Sequence, residues 1–129
     1  LSSLLESASH NPYSVAKERR MKIFGDAIDY IHANRERITI TQICYHVSTS
    51  ERTLERIFKS AIGISPKQYL NRFLFQVARQ QLLQSTPCST KVITIAQQLG
   101  FSHMGQFSAA YRTYFGECPS DTLNRMKVR

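Results

Sequence analysis

The longest regular pattern of apolar positions in the chain lies between residues 66 and 84. Spacings of three and four place these positions on one helix face, namely Leu70, Phe73, Leu74, Val77, Ala78 and Leu82. Ser65 can cap such a helix, Pro66 suits its first turn, and Gln68 completes a capping box. The pattern predicts one long helix from Pro66 to Gln84.

The apolar patterns on the two sides of this helix repeat each other. The first copy contains Ile40, Ile43, Cys44, Val47, Leu54, Ile57, Phe58 and Ala61, followed by Gly63 and Pro66. The matching positions of the second copy are Val92, Ile95, Ala96, Leu99, Phe107, Ala110, Tyr111 and Tyr114, followed by Gly116 and Pro119. The second copy has one extra residue in its turn. Each copy therefore predicts a helix-turn-helix motif.

Capping signals give the bounds of the other predicted helices. Thr39 and Gln42 form a capping box that opens a helix through Val47, and Ser50 caps the helix that stops at Gly63. The remaining predicted helices run from Val15 to Asn34, Lys91 to Leu99, Met104 to Phe115 and Pro119 to Met126, with turns at residues 48–50 and 101–103.

No stretch shows strand alternation, so the predicted class is all-α, with about seven helices and two helix-turn-helix subdomains on one linker helix. The predicted segments are a linker remnant at 1–14, the first subdomain at 15–65, the linker helix at 66–84 and the second subdomain at 85–129. Because the first residue is Leu1, we expect the chain to be a piece of a longer protein.

The helix after Ser50 carries two stripes. Its apolar stripe is offset by two positions, about 200°, from a polar stripe of Arg52, Glu55, Arg56 and Lys59. The second helix of a helix-turn-helix lies in the DNA major groove, where arginine binds guanine O6 and N7 and lysine neutralises phosphate. Glu55 can accept from a cytosine amino group or pair with Arg52 or Lys59, and the spacing favours the pair. An ordinary solvated face is the alternative for the whole stripe.

The second copy presents smaller residues at the matching positions: Gly105, Ser108, Ala109 and Arg112. Near the start of that helix, His103, Met104 and Gln106 can reach bases. Ala and Gly have no long side chain that can donate a hydrogen bond to a base, so this helix is expected to specify fewer base pairs than the first.

Composition favours a polyanionic partner. The formal net charge is +8, from 17 Lys and Arg against 9 Asp and Glu, and the pI is near 9.8. A basic run at Lys17, Arg19, Arg20 and Lys22 either touches phosphate or forms a solvated face. No apolar run approaches the roughly 20 residues that span a membrane, and we expect a cytoplasmic protein.

The cysteines and histidines do not suggest a metal centre or an enzyme. The three cysteines, Cys44, Cys88 and Cys118, are scattered, and the four histidines lack ligand spacing. A DNA-repair alkyl transferase, which would need a zinc-bound reactive cysteine, is disfavoured for this reason. We predict no catalytic residue, no metal and no cofactor.

The second copy, Ile95-Ala96-x-x-Leu99-Gly100-Phe101-Ser102 through Phe107, Tyr111, Tyr114-Phe115-Gly116 and Pro119, resembles the signature of AraC/XylS-type transcription regulators. The first copy and the central helix fit the same family, so the resemblance covers residues 15–126. Within that family, Gly100-Phe101-x-His103-x-Gly105-Gln106-Phe107 resembles the ethanolamine-utilisation regulators.

The resemblance implies a regulator, mostly of the activator kind, whose two recognition helices enter successive major-groove segments of double-stranded DNA. It also implies contact with RNA polymerase and an effector-binding or dimerising domain ahead of this chain, which alone is expected to be monomeric. The DNA contacts predicted from the motifs and the resemblance are Ser50, Arg52, Glu55, Arg56, Lys59, Ser102, His103, Met104, Gln106, Ser108 and Arg112. The alternative is a protein-interaction module with degenerate helix-turn-helix units.

Overall fold

A computed structural model describes residues 12–34, 38–85 and 92–125. These described residues form seven helices and no strand, in agreement with the predicted all-α class. The helices are α1 (Pro12–Ala33), α2 (Ile40–Val47), α3 (Glu51–Ile62), α4 (Pro66–Gln84), α5 (Val92–Gln98), α6 (Met104–Phe115) and α7 (Pro119–Asn124).

The predicted bounds of α1 are wrong at its start. The helix begins at Pro12, three residues before Val15, because proline is well suited to the first helical turn; residues 12–14 are therefore helical rather than linker. At the other end, α1 stops at Ala33, and α5 stops at Gln98 rather than at Leu99. The predictions for residues 1–11, Lys91 and Met126 lie outside the described residues.

Local capping explains where the helices of the first motif begin and end. The Thr39 hydroxyl accepts from the Gln42 amide at 3.1 Å, and the Gln42 side chain accepts from the Thr39 amide at 2.8 Å, which is the predicted capping box. Ser48 is the C-cap of α2, and its φ of 55° places it in the left-handed region. Gly63 is the C-cap of α3, with φ of 76°, where glycine avoids the strain of a side chain.

The chain divides into two compact units. Helices α1, α2 and α3 belong to the first, which extends to Lys67, and α4 from Gln68 belongs to the second with α5, α6 and α7. In the first unit the three helices pack on one another around a buried core: Ala27, Ile31, Ile43, Cys44, Leu54, Ile57 and Phe58. The Phe24 ring packs edge-on against the Phe58 ring, with 5.0 Å between centroids.

The core of the second unit is aromatic. The Phe75 ring of α4 lies 4.7–6.5 Å, centroid to centroid, from the rings of Phe101, Phe107, Tyr111 and Tyr114. The guanidinium of Arg79, one turn further along α4, sits 4.9 Å from the centroid of the Phe115 ring. Helix α4 thus contributes an aromatic and a cationic residue to the packing of this unit.

Three positions differ from the predicted apolar stripes. Phe75 is buried although it lies outside the stripe assigned to α4. Ala61 is exposed, because it lines an open groove with Met21 and Ser60 at the last turn of α3. Tyr114 is 43% exposed, although its ring lies near those of Phe75 and Phe115.

A chain of hydrogen bonds joins α6 to α7. The Tyr111 hydroxyl donates to Thr122 Oγ1 at 2.7 Å, Thr122 donates to the Glu117 carboxylate, and Arg125 forms an ion pair with Glu117 at 2.5 Å. Tyr111 and Thr122 are fully buried. Burial raises the pKa of the Tyr111 hydroxyl, although the hydrogen bond with Thr122 and the charge of Arg79 oppose the effect.

None of the helices in residues 12–34, 38–85 and 92–125 is both long enough and apolar enough to cross a membrane.

We predict that Tyr111→Phe lowers the free energy of unfolding by about 1 kcal/mol at pH 7, because Thr122 loses a buried partner. The raised pKa means that the folded state favours the neutral phenol. Its stabilisation is present below about pH 10, the ordinary tyrosine value, and is lost at higher pH. Between pH 7 and pH 10.5, the free energy of unfolding measured with urea should therefore fall less in the variant than in the wild type.

The control is Tyr45→Phe, which removes the same hydroxyl from a side chain that is 89% exposed. It should leave both unfolding curves unchanged. Equal effects of the two substitutions would contradict a specific role for the buried hydroxyl.

Candidate nucleic-acid interface

Helix α3 has one buried face and one exposed charged face. Leu54, Ile57 and Phe58 are at most 4% exposed, which fixes the rotation of the helix about its axis. The opposite face is solvent-exposed along its whole length and carries Arg52, Glu55, Arg56 and Lys59. The predicted separation of the two stripes is therefore present in the structure.

The charged face of α3 is not neutralised by its surroundings. In the described part of the chain, no ion pair or hydrogen bond involves the side chains of Arg52, Glu55, Arg56 or Lys59. The favoured pairing of Glu55 with Arg52 or Lys59 is thus wrong. The Glu55 carboxylate is available as an acceptor, and the three cations are available for an external anion or base edge.

The turn before α3 is held by side-chain hydrogen bonds. The Ser50 hydroxyl accepts from the Thr53 amide at 3.1 Å and donates to Thr53 Oγ1 at 2.9 Å. Ser50, which is one of the predicted DNA contacts, is therefore also the N-cap of α3. Thr41 of α2 donates to the Glu51 carboxylate at 3.2 Å. These contacts link α2 to the first turn of α3 and fix the direction in which that turn points.

Cys44 lies beneath this turn and is 7% exposed. Burial, and then the negative charge of Glu51, raise the pKa of the Cys44 thiol, so the thiolate is disfavoured at neutral pH. A group with little thiolate is a poor nucleophile and a poor metal ligand. Cys44 is therefore a packing residue in the core of the first unit.

Helix α6 in the second unit presents a different surface. Its predicted contacts Ser102, His103, Gln106 and Arg112 are exposed, whereas Met104 and Ser108 are half-buried. His103 occupies the N-cap position but makes no side-chain capping bond, so its ring is not held by the helix start.

Two positions on the exposed face of α6, Gly105 and Ala109, carry little or no side chain. Gly105 and Ala109 are exposed, and a Cβ added at Gly105 would meet no atom within 4 Å. The equivalent positions on α3 hold Arg52 and Arg56. The surface of α6 therefore carries one cation, Arg112, where that of α3 carries three.

The sequence predicts that the helix from Val15 to Asn34 covers the first helix-turn-helix, and α1 does pack on α2 and α3, but the sequence did not place the arginines of α1. In the structure, Arg19 and Arg20 line an open groove opposite Thr49 and Thr53, at the turn and the first turn of α3. The only signal in the sequence was the basic run between Lys17 and Lys22, which fits a solvated face equally well.

No group of three His, Cys, Asp or Glu side chains in the described residues is arranged to hold a metal ion. Cys118 is half-buried, and Cys88 lies outside the described residues.

Comparisons with known proteins agree on one family. A family model for a helix-turn-helix domain matches residues 43–125. The chain is 33% identical over its whole length to the "Probable thc operon regulatory protein" of Rhodococcus erythropolis and 30% identical over 99% of its length to the XylDLEGF operon transcriptional activator 1 of Pseudomonas putida. It spans 40% and 39% of these two proteins, respectively.

A solved structure gives the same result. The crystal structure of a probable AraC family transcriptional regulator from Rhodopseudomonas palustris superposes with a TM-score of 0.71 and 36% identity, over 81% of this chain and 96% of that one. The narrower resemblance to ethanolamine-utilisation regulators stays a prediction. The chain belongs to the AraC family of transcription regulators and is a helix-turn-helix DNA-binding domain of that family.

Proposed function

We propose that this domain reads a specific DNA sequence by placing α3 in the major groove. The observation that carries the proposal is the exposed face of α3, on which three cations and one carboxylate make no ion pair with any described side chain. A face held unpaired at a fixed rotation can exchange water and counterions for base edges and phosphates without first breaking internal contacts.

Each residue of this face suits a different contact. Arg52 and Arg56 lie one helical turn apart, a rise of about 6 Å, so their forked donors can reach guanine O6 and N7 at nearby base pairs. Glu55 lies between them and can accept from a cytosine amino group. Lys59, on the next turn, supplies a point charge suited to phosphate.

The second motif contributes a weaker reading surface in this proposal. His103, Met104, Gln106 and Ser108 are the side chains of α6 available for bases, with Met104 and Ser108 contributing less because they are half-buried. Ser102 and Arg112 hold phosphate. If the two recognition helices enter successive turns of the groove, their sites are about 34 Å apart, and bending of the DNA then adds specificity.

The rest of the regulator supplies control. The chain spans 40% of its Rhodococcus relative, which leaves room in such a protein for an effector domain. The Pseudomonas putida relative is named as a transcriptional activator, and activation by this protein through RNA polymerase is part of the proposal. We propose that the isolated domain is a monomer in the cytoplasm and binds DNA with no cofactor and no catalytic step.

The first prediction of this proposal concerns the arginine pair. Replacing either Arg52 or Arg56 with alanine is expected to weaken binding at the preferred site by about 1–3 kcal/mol and to relax the preference at one base pair. Both side chains are exposed and form no ion pair with a described residue, so neither substitution should disturb the fold. Selection of bound duplexes from a random pool, at a stated salt concentration, measures both effects.

Lys59→Ala is the matched control, since it removes a cation from the same face. It should weaken all sequences alike and leave the selected motif intact. The proposal for α3 would fail if the motif selected by Arg52→Ala and Arg56→Ala matched that of the wild type. Binding that does not depend on salt in any variant would instead favour a protein-interaction module.

The second prediction concerns the unequal recognition helices. We expect one sharply defined half-site, under α3, and one degenerate half-site, under α6. Because Gly105 and Ala109 are exposed, arginine at both positions can project outward without a clash at Gly105. The double variant Gly105→Arg, Ala109→Arg is therefore expected to sharpen the degenerate half-site towards guanine.

Charge alone is controlled by Ser120→Arg, which adds a cation at an exposed position on α7. That variant should raise the affinity for all sequences without changing the motif. Two equally sharp half-sites in the wild-type selection, or a backbone footprint confined to one groove segment, would contradict the proposed asymmetry.

A further inference from the structure

Helix α1 lies across α3, and its first half flanks the recognition motif. An open groove of about 650 Å³ lies between the first half of α1 and the start of α3. Arg19, Arg20 and Ile23 line it on one side, and Thr49 and Thr53 on the other. Thr49 belongs to the turn and Thr53 to the first turn of α3. The two arginines are thus placed beside the end of α3 that enters the DNA groove in this motif.

These arginines are not engaged by any residue that the structure describes. Both are exposed, and neither forms an ion pair or a side-chain hydrogen bond with any residue in the described ranges. Lys22, on the same helix, differs because it lies 3.8 Å from the Asp26 carboxylate. Among the described residues, no carboxylate pairs with the positive charge beside Thr49 and Thr53, which is therefore available to an external anion.

The position of the pair favours phosphate over base edges. Helix α1 packs on the buried face of α3, where Phe24 contacts Phe58. The groove lined by Arg19 and Arg20 extends from that face to Thr53, which lies about 100° around the helix from Arg52. Side chains of α1 consequently flank the groove that α3 enters, and DNA presents its phosphates along the edges of the groove. Two cations at that edge are placed to meet phosphates rather than the base pairs on the groove floor.

We propose that Arg19 and Arg20 of α1 bind the DNA phosphate backbone beside the half-site read by α3, and so form a third contact region. The inference rests on the proposed function of α3, because it uses the same docked orientation. Its effect is on affinity and register. The α1 contacts hold α3 in place on any sequence, and the side chains of α3 then discriminate among sequences.

The test measures DNA binding by the double variant Arg19→Gln, Arg20→Gln and by the wild type. Two duplexes of equal length are used, one bearing the selected site and one of unrelated sequence. Each lost phosphate contact should reduce the slope of log affinity against log salt by about 0.9, and affinity at 0.1 M salt should fall about tenfold per removed charge. The loss should be equal on both duplexes, and the selected motif should not change. Phosphate ethylation beside the α3 half-site should no longer interfere with binding by the variant.

Two further variants complete the test. Lys22→Gln removes a charge that is already paired with Asp26, and its slope should stay near that of the wild type. Arg19→Lys, Arg20→Lys retains the charges and should restore the slope; helical circular dichroism confirms that each variant folds. The inference is overturned by an unchanged salt slope, by an altered motif, or by unchanged ethylation interference in the glutamine variant. If the α1 inference fails in this way but Arg52→Ala still relaxes the selected motif, the proposed role of α3 stands. If Arg52→Ala also leaves the motif unchanged, both the α1 inference and the proposed role of α3 are rejected.

Discussion

The structure of the first unit depends on the rotation of α3 about its own axis. Leu54, Ile57 and Phe58 are buried on one side, and each residue along a helix turns the next by about 100°, so their burial leaves no freedom for the opposite side. Burying one such side chain contributes about 2 kcal/mol, which is more than any single exposed charge contributes. The buried apolar residues therefore set the direction in which Arg52 and Arg56 point, and the two arginines take no part in the core.

The second unit shows the same arrangement with different chemistry. Phe107 and Tyr111 of α6 take the places of Leu54 and Phe58, and the Phe75 ring packs against both. The scaffold of the second motif is therefore packed around buried aromatic rings. Its outward face, however, has lost the long donors. A shared fold thus supports two surfaces of unequal reading capacity, since packing and recognition use opposite sides of one helix.

Features set by neighbouring residues were predicted correctly from the sequence. The Thr39–Gln42 capping box and the glycine at residue 63 act within one helical turn, so a local pattern contains the whole cause. Phe75 was missed because a single stripe describes a helix with one buried face, whereas α4 buries a wider surface. Pro12 was assigned to a linker because proline suits both a turn and a helix start.

The candidate site divides in the same way. The exposure of Arg52, Arg56 and Lys59 followed from the stripe. The lack of an ion pair between Glu55 and any described residue did not, because spacing permits a pair without selecting the rotamers that make it. The neighbourhood of Arg19 and Thr53 depends on how α1 crosses α3, which no local pattern encodes.

Methylation of guanine N7 distinguishes guanine reading by Arg52 and Arg56 in the major groove from contact with phosphate alone. A duplex bearing the selected site, methylated at N7, should bind the wild-type chain poorly when the modified guanine lies under α3. Arg56→Ala should bind the modified and unmodified duplexes equally at one of those guanines, because the contact is already missing. Interference that is identical in the wild type and in both alanine variants, or no interference at guanine N7 at all, would contradict the account.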